Sequence, residues 1–97
     1  MKTIYKYKLN ATEIQTVKLP FESEILSAAY VAGDVVVYAL VNPESEGEKF
    51  VEILVYGTGH EINKDLSAHK FVNTVTIPES GLVFHVFAKM IRSNNSF

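Results

Sequence analysis

Between Lys49 and Tyr56 the chain is apolar in both phases of a two-residue repeat. Val51, Ile53 and Val55 would point one way in an extended chain, and Phe50, Leu54 and Tyr56 the other, with Glu52 the one charge among them. A strand that is apolar on both faces is buried on both, which places it inside a sheet or barrel. It runs into Gly57-Thr58-Gly59-His60, where two glycines allow backbone angles closed to other residues.

The rest of the chain reads as further strands. Residues 2–9 alternate, with Tyr5, Tyr7 and Leu9 on one face and Lys2, Lys6 and Lys8 on the other beside Ile4. Gln15 to Leu19 alternates again, Val17 and Leu19 inward with Phe21, and Pro20 ends it because proline cannot donate to a ladder. Glu24–Val31 and Asp34–Val41 are joined by a short Gly-containing link, which predicts a hairpin. Asn42-Pro43 stops the fourth strand, and the Glu44–Glu48 run is a solvated acidic loop. After the central strand, residues 60–69 are polar and irregular, with room for one helical turn over Asn63–Ser67. Phe71, Val75 and Ile77 mark a sixth strand, Pro78-Glu79-Ser80-Gly81 a turn, and Leu82–Lys89 a seventh strand. No amphipathic helix, heptad or repeat is present. About seven strands at this spacing predict an all-β fold, a small antiparallel sandwich or barrel with at most one short helical turn. One domain over residues 1–90 and a flexible tail over 91–97 are expected.

Composition narrows the function classes. The 97 residues are 47% hydrophobic, 11% aromatic and 21% charged, enough for one packed domain. Eleven acidic against nine basic residues give a net charge of −2, which disfavours general nucleic-acid binding. There is no cysteine, hence no disulfide and no thiolate metal site. The lysine-broken N-terminus is no signal peptide, and no apolar run approaches the roughly 20 residues of a membrane-spanning helix. A soluble cytoplasmic protein is expected, with no membrane partner. Sheet edges need cover, and homo-oligomerisation is one way to supply it.

Candidate chemistry is sparse. Gly57-Thr58-Gly59-His60 lacks the third glycine of a dinucleotide fingerprint, since position 62 is Ile62, and has no Gly-Lys-Ser/Thr. A tight turn or bulge is the structural reading; a backbone nest for an anion is the functional one. His60-Glu61 begins a zinc-protease pattern that Lys64 breaks, and His60, His69 and His85 lie on separate segments, so no metal is expected. His85, between Phe84 and Val86, reads as a hydrogen-bonded strand histidine or a ligand contact. No nucleophile elbow exists, and the loop carboxylates are solvated, so neither catalysis nor a cofactor is expected. Tyr5, Tyr7, Tyr30, Tyr38 and Tyr56 are core residues with wet hydroxyls or, alternatively, an interface.

The segments MKTIYKYKL (1–9), QTVKLP (15–20), EILS (24–27), YALVNP (38–43), YGTGH (56–60) and GLVFHVF (81–87) together resemble a widespread family of short, uncharacterised phage-encoded proteins. The likeness spans residues 1–88, although family members often carry Trp where this chain has Tyr5 and Tyr38. It brings no catalytic residue. It implies a phage product in the cytoplasm of an infected bacterium, one that binds and inhibits a host factor such as a component of an anti-phage defence system. Two binding modes compete: a sheet face or edge with Tyr5, Tyr7 and Tyr38 that occludes a host protein, or an oligomer that sequesters a small nucleotide signal at Gly57, Thr58, Gly59, His60 and His85, aided by the lysine-bearing first strand.

Overall fold

The computed structural model describes residues 1–94. The alternating segments form β1 (Thr3–Lys8), β2 (Ile14–Pro20), β3 (Ser23–Val31), β4 (Asp34–Val41), β5 (Glu48–Gly57), β6 (Lys70–Ile77) and β7 (Leu82–Asn94). Among the described residues there is no helix, and so none long and apolar enough to cross a membrane. The strands make two antiparallel sheets, ordered β1-β4-β3 and β2-β5-β7-β6, that pack face to face. Of the sandwich and the barrel that the alternation left open, the all-β sandwich is the fold.

The inward phase of each strand supplies one continuous core. Val37, Ala39 and Val41 of β4 meet Val51 and Ile53 of β5 and Val86 and Ala88 of β7, with Leu19, Ala28 and Val75 around them. The two-faced burial of β5 is also realised. Leu54 and Tyr56 are buried outside that cluster, on the outer face of the four-stranded sheet. The irregular segment between β5 and β6 crosses that face, anchored where His69 Nε2 donates to Glu52 Oε1 at 2.8 Å and Lys64 Nζ approaches the same oxygen at 3.3 Å. No helical turn forms over Asn63–Ser67; instead Asp65 Oδ1 accepts from the Ser67 N–H and the His69 N–H donates to the Leu66 carbonyl.

The β3–β4 hairpin turns on Ala32 and Gly33, both at positive φ (49° and 92°), the handedness that matches strand twist in a two-residue link. Across the sandwich, Asn73 on β6 works as a surrogate strand. Its Oδ1 accepts from the Ala28 N–H at 2.6 Å and its Nδ2 donates to the Ala28 carbonyl at 3.0 Å. Ala28 lies on β3, an edge strand paired on its other side with β4, so one amide caps that edge and ties the two sheets together.

The C-terminal reading needs correction. Ile91–Asn94 is not a tail but the end of β7, paired with the start of β5 through Phe50↔Arg92, Lys49↔Ser93 and Glu48↔Asn94. Arg92 stacks over the Phe50 ring at 4.1 Å from its centroid, a contact that ring and guanidinium both favour. Residues 95–97 of the expected tail lie outside the described residues.

Candidate functional site

Two places stand out, at opposite ends of the sandwich. At one end the β1–β2 loop, the β3–β4 hairpin, the residues after β5 and the β6–β7 turn surround an open cleft of about 620 Å³. Its walls are apolar (Leu9, Tyr30, Val35, Val55, Ile77 and Phe84), and Gly57 and His60 form part of the lining. The cleft wall is fixed locally by Gln15, whose side-chain amide accepts from the Asn10 N–H and donates to the Asn10 carbonyl.

Gly57 is needed here for a reason of space. A Cβ at this position would lie 2.9 Å from the His60 Cε1, because the imidazole rests on the glycine backbone. Gly59 follows at φ 88°, a conformation costly to residues with a side chain, and the His60 N–H donates to the Gly57 carbonyl to close the turn. His60 Nδ1 is 3.6 Å from Glu13 Oε2, and Lys8 Nζ is 3.5 Å from Asp34 Oδ1 on the rim. Both pairs are exposed, so each is worth little energetically, but each places a carboxylate beside the side chain, Lys8 or His60, that would meet a phosphate.

The turn's other residues face elsewhere. The Thr58 hydroxyl meets His85 Nε2 at 2.8 Å, and the Thr74 hydroxyl meets His85 Nδ1 at 3.0 Å. Both ring nitrogens of His85 are therefore occupied, on the outer face of the four-stranded sheet and away from the cleft. The structure brings Gly57 and His60 to the cleft and separates Thr58 and His85 from it. Gly59 is exposed beside the turn and does not line the cleft.

The tyrosines do not form one surface. Tyr5 and Tyr7 share the inner face of β1, their ring centroids 6.5 Å apart, and Tyr7 packs on the core. Burial, and then the neighbouring Tyr5, push the Tyr7 hydroxyl above its ordinary pKa. Tyr38 lies opposite Lys6 on the other face of the same sheet. Tyr30 enters the cleft and Tyr56 is buried under the β5–β6 segment.

At the far end three bulges gather. Leu26 in β3, Val72 in β6 and Ile91 in β7 are each skipped in the strand register. An extra residue bends its strand and breaks the ladder, a feature common at sheet edges. Here β6 pairs with β7 only from Leu82 to Ala88, because the chain before Lys70 leaves for the outer face. Beyond Ala88, β7 has β5 on one side and no strand on the other among the described residues. Leu26, Phe71, Met90 and Ile91 are exposed around this open stretch, beside a slot of about 360 Å³ between β3 and β7.

Sequence reasoning missed Asn73, the Glu52–His69 contact and this open edge. His69 carried the only available signal, as a lone histidine just before a strand, and that is too common to single out.

Residues 1–95 match the profile of a family described as a domain of unknown function, DUF7352, and the chain belongs to that family. Comparison with curated proteins and with solved structures found no match.

Proposed function

We propose that this is a non-enzymatic phage accessory protein that binds a host protein and inhibits it, acting in the bacterial cytoplasm, with a component of an anti-phage defence system as the target. The phage setting rests on the resemblance of the MKTIYKYKL, YALVNP, YGTGH and GLVFHVF segments. The binding mode rests on one observation: the open edge of β7 beyond Ala88, flanked by exposed Leu26, Phe71, Met90 and Ile91. Unpaired strand edges and contiguous apolar surface are what protein partners use. The tyrosines offered by the sequence are replaced in this role by the aliphatic and phenylalanine side chains at the far end.

A second reading keeps the cleft as the site, with an oligomer of this chain holding a nucleotide signal there. It is favoured by the cleft volume, which is in the range of small-ligand sites, and by Gly57 and His60 on its lining. It is weakened by the rim, where Asp34 and Glu13 already sit against Lys8 and His60.

Plaque formation on a defence-carrying host that expresses the protein separates the two. Met90→Asp and Phe71→Ser are expected to abolish protection of the phage, while His60→Ala leaves it intact. The reverse pattern moves the function to the cleft, and loss in none of them rejects both sites.

A further inference from the structure

The open edge also says what kind of segment fits it. We propose that β7 takes up an extended, acidic stretch of its partner as an added strand, in the line that β6 vacates. This rests on the edge-binding reading and names the chemistry of the partner.

The backbone sets the geometry. Beyond the bulge at Ile91, Arg92–Asn94 is held extended by β5, so its other side presents backbone groups with which an incoming strand can pair. Two of the terminal strands are blunted, β3 by Asn73 at Ala28 and β2 by Pro20, while β1 and β6 are also terminal strands of their sheets.

The charges set the chemistry. Lys70 stands where β6 begins, and Lys89 and Arg92 follow along the open stretch of β7. None of the three has a carboxylate within 4.0 Å among the described residues, a state they share with Lys2, Lys6 and Lys49, whereas Lys8, Lys18 and Lys64 each have one. Glu52 lies opposite Lys89 in the register, but its carboxylate is taken by His69 and Lys64. Asp65 is near enough to feel the Lys89 charge and makes no ion pair with it. The protein is acidic overall, yet this edge is lined by unmatched cations.

A second copy of the chain is the other occupant to weigh, and the same cations argue against it. Lys89 shares the outer face with Phe87, and Arg92 shares it with Phe50. Pairing β7 with its own copy about a two-fold axis would set both pairs of cations on one face with no anion between them. Like charges across a strand pair are destabilising. An acidic strand meets those cations instead, with apolar residues in its other phase set toward Met90 and Ile25 in the slot.

The test is a titration of the full-length protein with two fluorescent peptides, one alternating Glu and Val over eight residues, the other Lys and Val. Anisotropy reads affinity and amide hydrogen exchange reads location. The acidic peptide is expected to bind, to slow exchange at Met90–Asn94, and to lose about tenfold in affinity with Lys70→Glu/Lys89→Glu, whose unfolding midpoint is measured alongside because Glu52 lies opposite Lys89. Equal binding of both peptides, binding of neither, or protection confined to the cleft overturns the acidic-strand assignment. So does slowed exchange at Met90–Asn94 that grows with protein concentration in the absence of peptide, which means self-pairing. Plaque assays on Met90→Asp separate this failure from that of the broader reading. If activity is lost while the acidic peptide fails, the edge binds something other than an acidic strand. If activity is kept, edge binding itself is wrong.

Discussion

Asn73 is the residue on which the joint between the sheets turns. Two of its hydrogen bonds satisfy one backbone unit of an edge strand, and both partners lie in a part-buried setting. Asn73→Ala leaves an N–H and a carbonyl of Ala28 without partners and is expected to cost about 2–3 kcal/mol in urea unfolding. Asn73→Asp keeps the acceptor but sets a carboxylate against the Ala28 carbonyl, so it is not expected to restore stability. Glu52 makes a second, pH-dependent contribution. The hydrogen bond from His69 holds its carboxyl below the usual range; burial opposes this, and Lys64 adds to the lowering. A depressed folded-state pKa stabilises above the ordinary value of 4.5 and is lost as pH falls through the folded value. Wild type is therefore expected to exceed Glu52→Gln in stability at neutral pH, with the gap closing as the pH falls below the ordinary carboxylate range. A gap that is constant with pH would remove the carboxylate from this role. Neither residue was legible in the sequence, because both act across strands whose pairing no local pattern encodes. Gly57 was legible as a turn residue; that its lack of a side chain seats the His60 ring was not.

At the scale of elements, the strands could be read almost residue by residue. Alternation identified β1, β2 and β6, and the doubly apolar run identified β5 as an inner strand, which it is. The end of β7 was misread because Ser93-Asn94 has the composition of a loop, while its hold comes from β5 and from Phe50 beneath Arg92. Propensity is a weak prior where a neighbouring strand supplies the ladder. A chain stopped after Met90 is accordingly expected to lose roughly 1–3 kcal/mol, from cross-strand pairs and the cation–π contact together. A frayed tail would leave the unfolding midpoint unchanged. The three bulges escaped the sequence altogether, since Leu26, Val72 and Ile91 sit in runs where an extra aliphatic residue looks like continued strand.

For the whole molecule, alternation and spacing pointed to an antiparallel sandwich or barrel but not to the strand order, and the strand order is what creates the open edge. The connection from β5 to β6 passes over the outer face, bypassing β7, and β6 joins the sheet late, at Lys70. One end of the sandwich thus closes around an apolar cleft with paired charges, and the other leaves a strand unpaired among unmatched cations. Function through the second end makes a demand that one measurement can meet: native mass spectrometry of the wild-type protein and of Lys70→Glu/Lys89→Glu, each isolated from infected cells. A host protein retained by the wild type and lost from the double variant is the expected result. A closed oligomer carrying a small-molecule mass, unchanged in the variant, would contradict it and return the function to the cleft beside His60.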